Sequence, residues 1–435
     1  VSRLLVRGGR VVDPAQGLDA RRDVLLEDGR VARLDEKIEA APGDEVLDAS
    51  ACVVAPGLID IHVHLREPGQ EAKETVATGA AAAAAGGFTA VACMANTSPV
   101  NDSRVVTELI RTAAERAGRA RVYPVGAVSK GLAGEELSPF GELVAAGCVA
   151  FSDDGLPVAN AELMRRALEY AQHFGVPVVQ HAQDLDLSGE GVMHEGVASA
   201  CCGLPGIPGV AEDVVIARDL LLLEDVGGRY HVAHLSTARG LRLVREAKAR
   251  GLAVTCEVTP HHLLLTDAEV VASGFDPRWK MQPPLRSAAD VSALLEGLAD
   301  GSVDAIATDH APHTRDEKAL PFQSAPFGVV GLETALALGL DRLVRAGVVP
   351  LARLIELLST GPARVLGLPG GTLAPGAPGD LVVIDTERET DVVSARFASK
   401  SANTPFEGWR LHGVAVATVV GGRIVHRAEA ASGAG

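Results

Sequence analysis

A chain of 435 residues, 47% of them hydrophobic, holds enough apolar side chains for one large barrel and a satellite domain. Its net charge of −16 argues against a nucleic-acid or anionic-membrane surface, since both need a basic patch. An anionic substrate stays open, because a few cations or metals set the field inside a cleft.

Residues 1–52 read as short strands. Apolar clusters at 4–6, 11–12, 23–26 and 30–32 are punctuated by Gly8-Gly9, Asp28-Gly29 and Pro42-Gly43. From Val53 the texture changes to strand-sized apolar runs alternating with helix-sized segments. The expected strands are 53–64 (interrupted near Pro56-Gly57), 88–94, 121–128, 148–152, 176–181, 230–235, 253–258 and 304–308. The expected helices are 71–85, closed by Gly86-Gly87, then 103–118 with Ser103 as N-cap, 161–174, 211–223, 238–250 and 332–346. A long loop fills the space after His181. Eight strands, nearly all followed by helices, imply a parallel sheet closed as a (β/α)8 barrel. A doubly wound sheet would carry a glycine-rich turn after its first strand, where His62-Val63-His64 stands instead.

After residue 364 the pattern turns β-like again, with turn chemistry at 370–376 and strand-like runs at 380–384 and 414–425. The division expected is 1–52 and 365–427 forming one small β-sandwich domain from both chain ends, 53–364 forming the barrel, and 428–435 a disordered tail. None of the six cysteines forms a Cys-x-x-Cys pair, and most sit in apolar runs, which reads as free thiols in a reducing cytosol. The first residues show no signal-peptide pattern and no apolar run reaches transmembrane length, so a cytoplasmic protein is expected.

His62 and His64 lie two residues apart in a strand-like run, so their side chains share a face. Alone, the pair reads more readily as two hydrogen-bonded strand histidines than as a metal site. The other strand ends change that reading. They supply Asn96, Asp154, His181, His234, His261-His262 and Asp309-His310, with His313 close behind, and barrels of this kind gather their chemistry at that end. Imidazoles and carboxylates without thiolates favour zinc or another divalent transition ion. Four His and two Asp exceed one tetrahedral site and suit two ions, which would make a shared water hydroxide at neutral pH. That is equipment for hydrolysing a carbonyl compound.

Several longer strings resemble the type I, bacterial dihydroorotases of the amidohydrolase superfamily. They are His62-Val63-His64-Leu65-Arg66-Glu67-Pro68-Gly69, Asn96-Thr97-Ser98-Pro99, Ser152-Asp153-Asp154-Gly155, His194-Glu195-Gly196, Glu257-Val258-Thr259-Pro260-His261-His262 and Asp309-His310-Ala311-Pro312-His313-Thr314. The resemblance covers almost the whole chain. It implies two zinc ions, with His62, His64 and Asp309 at the more buried one, His181 and His234 at the second, and Asp154 bridging where many relatives use a carboxylated lysine. Asp153 remains open as a neighbouring alternative. The resemblance further implies Asp309 as proton shuttle, and Arg66, Asn96 and His313 as the grip on a substrate carboxylate. Gln282 stands where an asparagine usually contacts the pyrimidine ring, and residues 311–326 match a mobile lid. Ala95 replaces a usual proline, and Gln183 lies in a stretch where relatives carry cysteine and glutamate.

The implied reaction is the reversible cyclisation of N-carbamoyl-L-aspartate to L-dihydroorotate in pyrimidine (UMP) synthesis. Implied partners are aspartate transcarbamoylase and further copies of the chain, as a homodimer or larger assembly. Two rival readings are a ligand-free scaffold for the transcarbamoylase, set against by the complete ligand set, and a hydantoinase or allantoinase, set against by the missing strand-four lysine.

Overall fold

In the computed structural model, which describes residues 3–429, both chain ends meet in one sheet of eight strands. Its members are Arg3–Asp13, Leu18–Glu27, Arg30–Asp35, Glu45–Asp48, Val53–Pro56, Leu381–Asp391, Arg410–Val420 and Arg423–Arg427. The first strand runs antiparallel to Leu18–Glu27. Its other edge pairs with Glu45–Asp48 over Leu4 to Arg7, then with Val53–Pro56 at Arg10 and Val11. Val53–Pro56 also pairs antiparallel with Leu381–Asp391, and so stitches the N-terminal strands to the C-terminal ones. Leu4, Val6, Val24, Leu26, Leu381, Val383 and Val419 make the shared core of this small domain.

The stretch 53–64, read above as one barrel strand, is therefore two strands with different partners. Val53–Pro56 belongs to the small sheet and Leu58–Val63 to the barrel. The change falls at Gly57. Its N–H donates to Asp380 O, and a Cβ there would come within 2.1 Å of Thr89 Oγ1, so only glycine lets the chain pass.

The barrel strands pair in parallel: Leu58–Val63 with Phe88–Cys93 and that with Arg121–Pro124, then Val178–Gln180, Tyr230–Val232, Val254–Val258 and Ala305–Ile306 in turn. The fourth position is narrow. Phe151 alone bridges Gly126 on one side and Val178 on the other, supported by Ser152 N donating to Gly126 O at 2.8 Å. Closure between strands eight and one rests on His64 N donating to His310 O at 2.8 Å and on a side chain. The buried Asp60 carboxylate accepts from Thr308 N (3.2 Å), Thr308 Oγ1 (2.5 Å) and His62 N (3.1 Å). Burial pushes its pKa up to about 7 against these bonds. Ile59, Ile61, Ala90, Ala92, Val125, Ala150, Val179, Ala233 and Ala305 form an inner core, while Leu58, Phe88, Phe151, Val178, Val232 and Ile306 pack outward in a second core with helix residues.

Helix limits follow their caps. The first barrel helix is Val76–Ala85 rather than 71–85, because Thr75 and Thr78 cap it reciprocally, a device worth about 1 kcal/mol. The expected helix 332–346 is α-helical only over Ala335–Leu338 and continues as wider π turns over Gly339–Val344. A helix not foreseen, Ala288–Asp300, is capped by Ser287 and leads into strand eight. The long loop after His181 holds two short helices, Leu185–Ser188 and Val197–Cys202, and a parallel bridge between Met193–His194 and Gly206–Ile207. The expected tail lies outside the described residues from 430 onward. All six cysteines are free, and among the described residues no helix is long and apolar enough to cross a membrane.

Candidate active site

Strand one delivers His62 and His64 to the top of the barrel, and its register against strand two shifts between Asp60 and Val63. Irregularities of this kind re-aim side chains beside functional sites. Asp154 follows the fourth position, and His181, His234 and Asp309 follow strands five, six and eight. All six are buried. Two clusters form, His62, His64 and Asp154 in one and Asp154, His181 and His234 in the other. Asp154 is common to both. Its Oδ1 lies 3.4 Å from His62 Nε2, 3.6 Å from His181 Nδ1 and 3.5 Å from His234 Nε2, and its Oδ2 lies 3.4 Å from His64 Nε2. Bonds of about 2.1 Å in a tetrahedral shell set ligand atoms roughly 3.4 Å apart, so these spacings fit zinc-sized ions. Asp309 Oδ1 stands at the first cluster, 3.1 Å from His64 Nε2 and 3.6 Å from His62 Nε2.

The outer nitrogens of three histidines are already held. His62 Nδ1 donates to Glu257 Oε1 (2.6 Å), His64 Nδ1 to Asn96 Oδ1 (3.0 Å) and His181 Nε2 to Gln183 Oε1 (2.8 Å). In the neutral imidazole each such bond leaves the opposite nitrogen free and aimed into the cluster, the tautomer a metal needs. His181 Nδ1 and His234 Nε2 face each other at 2.8 Å. His62 Nε2 and Asp154 Oδ1 are buried without hydrogen-bond partners, as are His234 Nδ1, His261 Nε2, Gln282 Oε1 and His313 Nδ1. Such groups cost about 1–3 kcal/mol each, and His62 Nε2 and Asp154 Oδ1 lie together in the first cluster, which marks a place built for a bound species.

Electrostatics agree. Burial works against charge on His62, yet Asp154, Glu257 and Asp309 outweigh it and hold its pKa well above the usual value. Burial likewise opposes charge on Asp154 and Asp309, and the histidines overcome it, so both carboxyls stay below their usual range. The cluster draws positive charge into a dry site. Glu257, on strand seven, completes this ring. It also contacts His231 Nε2 at 3.2 Å, and against its burial the two histidines hold it at about 2. Glu257→Gln is expected to weaken metal binding at the His62 cluster about tenfold, read by competition with a chromophoric chelator.

The remaining expected residues divide. Arg66 is buried, and among the described residues it makes no ion pair. Its Nε donates to Pro312 O at 3.2 Å and its Nη2 lies 3.5 Å from His313 Nε2. His313 Nε2 donates to Phe327 O at 2.8 Å; burial and then Arg66 push its pKa down to about 3, so it is neutral. Asn96 is largely committed to the cluster, holding His64 and donating from Nδ2 to Asp154 O at 3.1 Å, with one amide N–H left over. Gln282 is placed with its oxygen unpartnered. Asp153 turns away, accepting from the amide and hydroxyl of Ser129, so of the two neighbouring carboxylates it is Asp154 that faces both clusters. His310 is spoken for by Glu74 and Gly331 N. Arg66, His234 and Asp309 adopt positive φ (62°, 32° and 46°), a cost of order 1–3 kcal/mol each that clusters at functional sites.

A (β/α)8 barrel with this histidine–aspartate cluster at its strand ends defines a metal-dependent cyclic amidohydrolase. Residues 51–239 match the family model described as dihydro-orotase-like, and residues 222–426 match that of the amidohydrolase family. A dihydroorotase of Anaeromyxobacter dehalogenans (strain 2CP-C) is 59% identical over 97% of this chain and 98% of its own. One from Pelotomaculum thermopropionicum is 55% identical over the same shares, 97% and 98%. Among solved structures, the L-hydantoinase (dihydropyrimidinase) of Arthrobacter aurescens superposes with a TM-score of 0.88 at 26% identity, covering 98% of this chain and 96% of that one. The chain belongs to the dihydroorotase family.

Proposed function

We propose that this chain interconverts N-carbamoyl-L-aspartate and L-dihydroorotate in pyrimidine synthesis, in the cytoplasm, with two zinc ions held by His62, His64, Asp154, His181, His234 and Asp309. The observation that carries the substrate is Arg66, a buried guanidinium without a carboxylate partner beside the metal cluster. Burial lowers its pKa, and the carboxylates of Asp309 and Asp154 only partly restore it, so the site gains by admitting an anion close to it. A carboxylate on the substrate supplies one in the planar, two-pronged geometry that arginine prefers. His313, by turning its Nε2–H from Phe327 O to the substrate, and the spare Asn96 amide N–H complete that grip, and Gln282 reads the ring.

When bound, the ions polarise the ring amide carbonyl and lower the pKa of the attacking water. Asp309 takes the proton released as the water oxygen bonds to the carbonyl carbon. It returns that proton to the ring nitrogen as the carbon–nitrogen bond breaks. Run backwards, the same steps close the ring and release water. Asp154 orders the four imidazoles around one carboxylate, and the burial of the cluster keeps bulk solvent from competing.

A hydantoinase reading is favoured by the superposition with L-hydantoinase and opposed by Asp154 on strand four and by the unpaired Arg66. Aspartate transcarbamoylase and further copies of the chain are proposed as assembly partners. The test is turnover by the purified, zinc-loaded protein of dihydroorotate, dihydrouracil, hydantoin and allantoin, alone and with a transcarbamoylase. Hydrolysis of dihydroorotate well ahead of the three uncharged rings is expected. Preference for an uncharged ring, or no dihydroorotate turnover in either setting, would overturn the proposal.

A further inference from the structure

The loop that crosses the barrel mouth leaves strand eight at His310 and returns at Val329. Its two stems lie side by side, with His310 bridged to both Val63 and Val329, and Ala311 N donating to Val329 O at 2.7 Å. Gly328 has φ +132°, and a Cβ there would come within 2.8 Å of the Ala311 Cβ and 3.1 Å of His313 Nε2, so the stems touch.

A third segment of the chain grips both stems. It comes from the small domain, in the connection between Leu381–Asp391 and Arg410–Val420. Asn403 is buried there, and its Nδ2 donates to Ala311 O (3.1 Å) on one stem and Gly328 O (3.0 Å) on the other. Its Oδ1 accepts from His313 N at 3.3 Å, and its carbonyl accepts from Val330 N at 3.1 Å. Ser401, two residues earlier, sets its hydroxyl 2.9 Å from His313 O and 2.8 Å from Lys73 O. Only a primary amide offers two donors and an acceptor in this arrangement.

We infer that Asn403 is a positioning residue for the substrate carboxylate: it clasps the two stems of the mouth loop and, through the His313 amide, fixes His313 against Arg66. The inference rests on the reading of Arg66 and His313 as the carboxylate grip. The interior of the loop is held independently. Lys318 Nζ donates to the carbonyls of Pro277 (2.9 Å), Lys280 (3.2 Å) and Pro326 (2.8 Å), and Lys280 Nζ to those of Phe322, Gln323 and Ala325. Loss of Asn403 therefore frees the stems, and with them the segment before Lys318, while the rest of the loop stays in place.

The test uses the full-length, zinc-loaded protein with Asn403→Asp, which sets an oxygen against two carbonyls, and Asn403→Ala, which removes the clasp. In both, KM for dihydroorotate is expected to rise about ten- to hundredfold, with kcat within about threefold of the parent and metal content unchanged. Tryptic cleavage after the exposed Arg315 is expected to accelerate in both variants. An unchanged KM, or a fall in kcat alone, with the parent active, overturns the inference and leaves the proposed function standing. If the parent does not turn over dihydroorotate, the functional reading falls instead. The tryptic comparison then decides the clasp, equal cleavage rates overturning it and faster cleavage in the variants upholding it.

Discussion

Asp309→Asn is expected to slow dihydroorotate hydrolysis by about three orders of magnitude while the protein keeps its metal complement. The substitution preserves shape and removes the one property the proton relay needs, a carboxylate that accepts and returns a proton. Retention of metal follows from the geometry, since both three-residue clusters close without Asp309. Its Oδ1 stands 3.1 Å from His64 Nε2, at the first cluster, and its charge is felt by Arg66. The backbone is held at φ +46° there, and asparagine tolerates that region as well as aspartate does, so the variant should fold. Steady-state kinetics with metal analysis checks both halves. Full activity would remove Asp309 from the relay. Loss of an ion together with activity would show that its role is to hold metal.

The metal cluster was legible because barrel strands deliver their last residues to one place, and histidines at five of the strand ends are conspicuous in a chain with 13. The residues that hold those ligands were not. Glu257 sits inside a string that resembles the family, yet nothing in its local pattern says it reaches His62, 195 residues away. Gln183 read as a departure from the relatives; it holds the outer nitrogen of His181. Asn403 lies in a connection of the small domain, where no periodicity announces contact with the barrel mouth. Asn96 was read as part of the carboxylate grip alone, and its bonds to His64 and Asp154 depend on how two loops approach. In the fold, the apolar run across Pro56-Gly57 looked continuous because both strands it feeds are buried, and only pairing partners separate them. The Ala288–Asp300 helix stands between strands seven and eight, where Ser287 marks its start.

Asp154→Ala is expected to empty both metal sites at once, which no single histidine substitution should do. Four imidazoles converge on this carboxylate, three within 3.6 Å of Oδ1 and one at 3.4 Å from Oδ2. Without it the second site keeps two nitrogens and the first keeps two nitrogens and Asp309, and the carboxylate shared by the two histidine pairs is gone. Two or three ligands fall short of the four that zinc prefers. Metal content is expected to drop from about two ions per chain to well under one, and turnover by about three orders of magnitude or more. His181→Ala provides the contrast, since it disturbs the second cluster and leaves His62, His64 and Asp154 to hold the first. Metal analysis after dialysis against a weak chelator separates the cases. One ion retained firmly in Asp154→Ala would mean that the two clusters do not share their carboxylate. The bridging role would then pass to a residue outside the pair of clusters, with Asp309, 3.6 Å from His62 Nε2 and 3.1 Å from His64 Nε2, the carboxylate placed to take it.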